Sequence, residues 1–303
     1  MARTVAEIMK SALKGGLVIP AFNIPYIPMM EAVVRALRDT ETFGLIAVAR
    51  PEWEKFQAKS MRAIAEEYGR VKDERYMRLH LDHVPVIDED HKQVDYAGII
   101  AEAIALGYHS VMVDGSRLPL AENIQATKRV IEMGHKAGIP VAAALGAVLG
   151  HEAGPIPPYE ELMTSGKGFT APEEARRFVQ ETGVDWLSVA IGNIHGAISG
   201  AATNAKKLEA RLDIPHLQKI RQAIGADIPL VLHGGSGIRK EYILQGIRNG
   251  IAKINVGMAI RQPYQVGSRQ SVKAGQDATY QAVTDVIRGE LEIEGSARVL
   301  NPG

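Results

Sequence analysis

Three histidines follow apolar, strand-like segments of the chain: His83 in RLHLDHV, His195 in VAIGNIHG and His233 in LVLHGGSG. Imidazole is a versatile metal ligand, and catalytic zinc sites often use three histidines and leave one position open for substrate. A lone histidine is more often packed or hydrogen bonded than a ligand. Because all three stand beside glycine, asparagine or aspartate near the end of an apolar segment, we expect them to converge at one end of one sheet.

Other acidic and polar residues near the predicted strand ends could complete such a site. Asp82 precedes His83, and since neighbouring strand residues point to opposite faces, the two can share a site only where the strand ends and the backbone turns. Asp114 and Ser116 follow the next segment, where a turn or helix N-cap is the alternative interpretation. Glu152 lies in a loop, either as a mobile proton-transfer residue or as a solvated carboxylate.

Glycines beside two of the histidines favour an anion site. The NIHG and HGGSG segments contain Gly196, Gly234 and Ser236, and a missing Cβ lets backbone amides approach an anion closely. A predicted helix begins near Arg239, and its N-terminus would favour negative charge. Glycine-rich turns also occur for purely geometric reasons, so both interpretations stay open. Asn255, at the last strand end, offers a donor and an acceptor to a substrate hydroxyl.

Eight β-rich segments alternate with helical segments, which predicts a (β/α)8 barrel. The predicted strands are 16–23, 43–50, 78–84, 110–116, 141–148, 185–192, 229–235 and 252–257, and helices are predicted at 94–106, 120–137, 171–182, 214–224 and 239–249. A doubly wound sheet is the alternative, but no GxGxxG follows the first strand. Polar residues suited to a site also follow at least six strands, more than a switch-point site usually uses.

The length of 303 residues fits one barrel domain, so we predict a single domain over residues 1–303. A C-terminal helical extension should begin at about residue 264, with a long helix from about 276 to 290 and a tail that could contact another subunit. A Gly- and Pro-rich segment of 26 residues begins at Gly150. Segments of this kind are usually lids, binding loops or disordered.

Composition excludes several classes of function. The 35 basic and 35 acidic residues balance, which argues against a nucleic-acid surface. The chain has no cysteine, which excludes disulfides, thiolate metal sites and a cysteine nucleophile, and fits a cytoplasmic protein. The N-terminal segment is typical of an amphipathic helix rather than a signal peptide. No apolar run approaches the ~18–20 residues that span a membrane, so we expect a soluble protein.

The ordered motifs resemble one family over roughly residues 5–262. They are AFN, HLDH, VMVDGS followed by LPLAENI, TGVDWLSVAIGNIHG, LVLHGGSGI and GIAKIN. In this order and spacing the chain is similar to the class II, metal-dependent ketose-phosphate aldolases, which include fructose- and tagatose-bisphosphate aldolases. The resemblance implies a (β/α)8 barrel, a homodimer or homotetramer, and reversible retro-aldol cleavage of a sugar phosphate. It also implies one divalent metal per subunit, usually zinc.

The resemblance also implies roles for individual residues. His83, His195 and His233 would bind the metal, Asp82 would take the proton of the C4 hydroxyl, and Glu152 would be the mobile acid/base. Asn255 would contact the dihydroxyacetone moiety. The implied substrate and phosphate contacts are Asn23, Asp114, Ser116, Gly196, Gly234 and Ser236. A metal on the C2 carbonyl oxygen would stabilise the developing charge, so no Schiff-base lysine is required.

Several positions depart from the family pattern. The segment that usually reads VEAELG reads VAAALG here, and KINxDTxxR reads KINVGMAIR. These changes and two others place Ala142, Ala144, Gly257, Met258, Ala49 and Arg117 where the family usually has acidic residues, an Asp–Thr pair, serine or histidine, and Arg50 stands beside Ala49. The lost Asp–Thr contacts and the gained arginines predict an altered substrate specificity, for a non-phosphorylated ketose or a sugar acid. Arg50, Arg117, Gly257 and Met258 are therefore the predicted specificity positions.

Two alternatives remain. An ordinary fructose-bisphosphate aldolase is favoured by the retained HGGSG segment and opposed by Met258. A metal-binding barrel without catalysis is the second, and the intact three-histidine set argues against it.

Overall fold

Eight parallel strands form a closed barrel in the computed structural model, which describes residues 3–148, 158–195 and 209–302. The strands are β1 (Ile19–Asn23), β2 (Gly44–Val48), β3 (Met77–Pro85), β4 (Ser110–Asp114), β5 (Val141–Leu145), β6 (Trp186–Val189), β7 (Leu230–Leu232) and β8 (Ile251–Val256). Each strand pairs with the next, and β1 pairs with β8. The (β/α)8 prediction is confirmed, and the doubly wound alternative is wrong.

Helices surround this barrel. They are α1 (Val5–Gly15), α2 (Met29–Asp39), α3 (Arg50–Glu54), α4 (Met61–Val71), α5 (Tyr96–Ala105), α6 (Leu120–Lys136), α7 (Tyr159–Ser165), α8 (Pro172–Thr182), α9 (Ile214–Ile224), α10 (Lys240–Arg248), α11 (Met258–Gly267), α12 (Val272–Asp285) and α13 (Ala297–Leu300), and a π-helical segment over Val286–Leu291 continues α12. Side chains that accept hydrogen bonds from the first turn begin several of them, such as Thr4, Ser60 and Asp213. Among the described residues, no helix is both long and apolar enough to cross a membrane.

The strands are buried on both faces, as expected of a parallel barrel covered by helices. Larger aliphatic residues pack outward against the helices. The interior layer packs mostly small residues around Trp186: Ala21, Ala47, Met112, Ala142, Ala144, Val231 and Ala252. Small side chains in this layer leave room for the larger polar groups inside the barrel, near the end where the strands end.

A register shift in β3 turns two neighbouring residues toward one site. Between Leu81 and Val84, β3 advances three residues while β4 advances two. An extra residue of this kind breaks the alternation of side chains. The expectation that Asp82 and His83 could share a site only at a strand end is therefore wrong, because β3 continues to Pro85 and the bulge brings the two side chains together.

A second shift lies between β7 and β8. From Leu230 to Val231 β7 advances one residue, while its partner positions on β8 advance two, to Lys253. Ala252 packs in the interior layer, and yet Lys253 also reaches an interior polar partner, Asn255. The extra residue allows an apolar and a polar side chain to follow each other on the inner face.

The end of the barrel where the strands begin is closed by α1 and α13. Ile8 and Met9 of α1 and Leu300 of α13 join the interior cluster, each fully buried. Ser296 Oγ accepts a hydrogen bond of 3.2 Å from the backbone N–H of Phe43. The C-terminal tail is thus part of the barrel floor of this chain.

Some predicted boundaries differ from the structure. The first strand begins three residues later than predicted, at Ile19, and the predicted helix 276–290 begins earlier, at Val272. The Gly- and Pro-rich segment contains α7, which the sequence pattern did not indicate. Residues 150–157 of that segment lie outside the described residues.

Replacing Leu300 with alanine should lower the free energy of unfolding by about 2–5 kcal/mol, because the side chain is deeply packed and its loss leaves a cavity. Urea unfolding followed by circular dichroism measures this value. Val299→Ala is the matched control, since Val299 is 60% exposed. Equal stability of the two variants would show that the tail does not hold the barrel floor.

Candidate metal centre

The three histidines meet at the end of the barrel where the strands end. His83 lies on the bulge of β3, His195 follows β6, and His233 directly follows β7. Each offers one ring nitrogen, and these three atoms lie within 4.8 Å of one another. The ring centroids of His83 and His233 are 4.0 Å apart, and His195 lies 5.1 Å from His83. The predicted convergence is confirmed.

Each of the three imidazoles has its Nδ1 atom held by a neighbour. His83 Nδ1 lies 2.8 Å from Asp114 Oδ2, and His233 Nδ1 lies 2.8 Å from Ser188 Oγ. His195 Nδ1 lies 3.1 Å from the carbonyl oxygen of Val148. These contacts orient the rings and leave Nε2 as the atom that each can offer to a metal. The donor set therefore fits a divalent cation of the zinc type.

The charges around the rings also favour a cation. Burial opposes protonation of His83, but the carboxylates of Asp82 and Asp114 outweigh it and raise the pKa of this imidazole. Burial, together with His83, lowers the pKa of His233 to about 3, so this ring is neutral at neutral pH and its lone pair is available. A place that stabilises positive charge on His83 stabilises a metal ion too.

Asp82 is buried beside the histidines, and two side-chain amides donate hydrogen bonds to its carboxylate. Its Oδ2 accepts 2.6 Å and 3.2 Å hydrogen bonds from the side-chain amides of Asn255 and Asn23. Its Oδ1 lies 3.4 Å from His233 Nε2 and 3.5 Å from the ammonium of Lys253. Burial opposes ionisation, but Lys253 and the nearby imidazoles hold the pKa of Asp82 well below its ordinary value.

Two buried residues of this network were missed by the sequence analysis. Lys253 is fully buried, and its Nζ donates a 2.6 Å hydrogen bond to Asn255 Oδ1. His80 is also fully buried, with Nδ1 2.8 Å from Ser110 Oγ and Nε2 3.5 Å from Asp82 Oδ1. A lysine between Ala252 and Ile254 in a predicted barrel strand was the available signal for Lys253, since a charge in an apolar strand needs a partner.

A cavity opens over the histidines and Asp82, and some of the expected substrate contacts line it. Asn23, Gly234, Ser236 and Asn255 all line it. Gly234 has φ +64°, and a Cβ there would lie 2.0 Å from the carbonyl oxygen of Ile194, so only glycine fits. The structure brings these predicted residues to one cavity.

Two of the predicted specificity positions, Gly257 and Met258, line the same cavity. Gly257 caps α11, and Met258 is its first residue. Ser236 Oγ accepts a 3.1 Å hydrogen bond from the backbone N–H of Ala259, which ties the HGGSG loop to this helix. Gly257 and Met258 thus line the cavity at the two positions where the family pattern has an Asp–Thr pair.

Asp114 links the backbone of Ser116 to the imidazole of His83. Asp114 Oδ1 accepts a 3.0 Å hydrogen bond from the Ser116 N–H, while Oδ2 holds His83. Asp114 therefore forms the predicted turn and also holds His83, while its contact with substrate stays a prediction. Ser116 and Ala144 line a second recess next to the histidines.

The predicted arginines lie at the rim. Arg50 is paired with Glu54 at 2.8 Å and with Asp88 at 3.1 Å, so its charge is already balanced. Arg117 is exposed and lines a recess together with Arg50 and Glu89. Glu152 and Gly196, also predicted as site residues, lie outside the described residues.

Glu52 is a further carboxyl group in the main cavity that the sequence analysis missed. It lies in α3 and accepts a short hydrogen bond from the backbone N–H of Ala49. Burial and the charge of Asp82 raise the pKa of Glu52 to about 8, although Ala49 and His83 oppose the shift. The neighbouring wall of the cavity is apolar and contains Pro25, Pro51, Phe56 and Met258.

Asp114→Asn should lower zinc affinity by about 10–100-fold, because the neutral amide orients and polarises His83 less than a carboxylate does. Competition with a fluorescent zinc chelator measures the affinity without any assay of catalysis. Asp185→Asn is a matched control, since Asp185 holds His135 at 2.9 Å on the protein surface. Unchanged zinc affinity in Asp114→Asn would contradict this role of Asp114.

Glu52→Gln should change the pH dependence of stability. With a pKa of about 8 in the folded state against 4.5 ordinarily, Glu52 binds more proton when folded, so the protein loses stability as pH rises between these values. The variant lacks this loss. The unfolding free energy of Glu52→Gln minus that of wild type should therefore increase by up to about 1.4 kcal/mol for each pH unit between these values. Urea unfolding at pH 5 to 8 tests this, with exposed Glu66→Gln as control. Parallel curves for Glu52→Gln and wild type would contradict it.

The fold has counterparts among solved structures. A Coccidioides immitis protein provisionally assigned as a fructose-1,6-bisphosphate aldolase is 26% identical, with a TM-score of 0.75 over 97% of this chain and 98% of that one. The YdjI aldolase of Escherichia coli K12 is 24% identical, with a TM-score of 0.75 over 98% and 100%. The fructose-bisphosphate aldolase of Campylobacter jejuni is 17% identical, with a TM-score of 0.73 over 95% and 93%.

The family model of the class II fructose-bisphosphate aldolases matches residues 3–297, nearly the whole chain. Members of this family are generally dependent on a divalent metal, and the three-histidine group is present here. The family and the fold support aldolase activity. The match covers nearly the whole chain and agrees with the barrel and the histidine cluster, so the chain belongs to the class II fructose-bisphosphate aldolase family.

Proposed function

We propose that this protein is a zinc-dependent aldolase that reversibly cleaves a ketose or ketose phosphate into a dihydroxyacetone or dihydroxyacetone phosphate unit and an aldehyde. The observation that carries the proposal is the geometry of His83, His195 and His233, whose ligand atoms lie within 4.8 Å of one another beside buried Asp82. Three imidazoles with one open position suit zinc, with one ion per subunit. The cytoplasmic location and the homodimer or homotetramer stay predictions.

A divalent cation bound by the three histidines would act as a Lewis acid on the substrate carbonyl. Asp82 is ionised and fixed by two amides, so its carboxylate can accept the proton of the C4 hydroxyl as the C3–C4 bond breaks. The electron pair of that bond stays on C3, in the dihydroxyacetone unit, and C4 becomes the carbonyl carbon of the aldehyde product. Glu152 would then return a proton to C3, as the family resemblance implies.

Substrate specificity is the finer part of the proposal. Ser236 and Gly234 retain the loop that would hold a phosphate, which favours an ordinary fructose-bisphosphate aldolase as the second candidate. Met258 and Gly257 supply no side-chain hydrogen bond to an anion, and half-buried Glu52 adds a carboxyl group to the cavity. These residues favour a substrate shifted away from fructose 1,6-bisphosphate, such as a non-phosphorylated ketose or a sugar acid.

A panel of ketoses and their 1-phosphates, assayed with added zinc, tests the proposal. Cleavage should be abolished by EDTA, restored by zinc or cobalt, and lost in His83→Ala. Each missing charged hydrogen bond to phosphate removes about 1.5–3 kcal/mol, so the advantage of a phosphate ester in kcat/KM should be reduced by about 10–100-fold per contact.

The outcomes separate the candidates. Activity that resists EDTA completely would contradict the metal mechanism. A phosphate ester that is preferred by several orders of magnitude would support the ordinary fructose-bisphosphate aldolase and overturn the specificity shift. Tight zinc binding with no cleavage of any ketose would favour a binding protein.

A further inference from the structure

Lys253 has a contact pattern that the proposed mechanism does not use. Its side chain is fully buried inside the barrel, and it is not among the described residues that line the substrate cavity. A buried ammonium is costly unless it is paired and hydrogen bonded. Its partners are Asn255 Oδ1 at 2.6 Å and Asp82 Oδ1 at 3.5 Å. The hydrogen bond to Asn255 and the ion pair with Asp82 are therefore the contacts through which Lys253 can orient the site.

The chemistry of the ammonium dictates the orientation of the next group. A lysine ammonium has three donors and no acceptor, so the atom of Asn255 that faces it must be the amide oxygen. The amide nitrogen of Asn255 then points the other way, and it donates to Asp82 Oδ2 at 2.6 Å. Asn255 is thus held between a donor-only group and an acceptor-only group.

The same orientation passes to a second amide. Asn255 Nδ2 also lies 3.3 Å from Asn23 Oδ1, so the oxygen of Asn23 accepts and its nitrogen is turned to Asp82 Oδ2, at 3.2 Å. The two amide nitrogens that donate to Asp82 Oδ2 therefore both have the orientation that the contact between Lys253 and Asn255 requires. Without the lysine, Asn255 Oδ1 would be a buried acceptor with its donor removed, and the amide would be free to shift toward other partners.

We propose that Lys253 is the positioning residue that orients Asp82 through Asn255 and Asn23. The inference rests on the proposed function, in which Asp82 is the proton acceptor. The bulge in β8 is what makes this role available, because it allows Lys253 to reach the interior directly after Ala252. Asn255 then serves mainly to hold Asp82, in addition to the substrate contact that the family resemblance implies.

The first test compares Lys253→Met with wild type in the ketose assay. We expect kcat to fall by about 10–100-fold, as for loss of a charged hydrogen bond, with KM changed by less than about 3-fold and zinc content unchanged. Arg78→Met is the control, because Arg78 is a buried cation at the closed end of the barrel that donates to backbone carbonyls. This control should keep the kcat and KM of wild type in its folded fraction.

A double-mutant cycle separates positioning from general damage. If Lys253 acts through Asn255, then Lys253→Met should cost little further activity in an Asn255→Ala background, whereas independent effects would multiply. Multiplying effects, or a wild-type kcat in Lys253→Met, would overturn the inference.

A chemical variant covers the case in which Lys253→Met fails to fold. The chain has no cysteine, so Lys253→Cys carries its only thiol. Alkylation of the unfolded chain with bromoethylamine, followed by refolding, rebuilds a lysine-like ammonium, while iodoacetamide gives a neutral side chain. Wild type taken through the same cycle is the reference. The ammonium form should recover kcat to within about 3-fold and the neutral form should not; equal kcat values for the two forms would overturn the inference.

A structural measurement keeps the inference separable from the proposed function. If wild type cleaves no ketose, the aldolase proposal fails, but crystal structures of wild type and Lys253→Met still report on positioning. We expect the Asn255 amide to rotate away from Asp82 in the variant and not in Arg78→Met. An Asn255–Asp82 hydrogen bond that keeps its length of 2.6 Å would overturn the role of Lys253 even if the enzyme is active.

Discussion

The buried carboxylate of Asp82 is the constraint on which the rest of the site depends. An ionised group inside a barrel is stable only if it is hydrogen bonded and balanced by positive charge. Asn23 and Asn255 satisfy one oxygen, while Lys253 and the imidazole of His233 face the other. The same arrangement supplies an oriented proton acceptor beside a place that attracts a cation. Stability and chemistry therefore require the same contacts.

Two irregularities in the strands make this arrangement possible. A regular strand would send Asp82 and His83 to opposite faces, and the bulge in β3 brings both to the interior. The shift between β7 and β8 does the same for the neighbours Ala252 and Lys253. The barrel still closes with both bulges, and small residues such as Ala142 pack around Trp186 in its interior layer.

Much of the fold and part of the site could be predicted from the sequence. The alternation of segments was enough for the barrel, and the repeated placement of histidines at strand ends was enough for their convergence. Register shifts could not be predicted, because a bulge depends on pairing between strands rather than on the local pattern. For the same reason Glu52 was missed, since its significance comes from burial and from a neighbour distant in sequence, Asp82. Lys253 did carry a local signal, as a charge in an apolar strand, but its partner Asp82 lies on another strand.

The central claim is that His83, His195 and His233 hold one divalent metal ion beside Asp82. The most direct measurement is a crystal structure of zinc-loaded protein with anomalous diffraction at the zinc edge. One peak should lie about 2.0–2.1 Å from an Nε2 atom of each histidine. A zinc peak elsewhere, or no peak at this position in protein that contains stoichiometric zinc, would contradict the account.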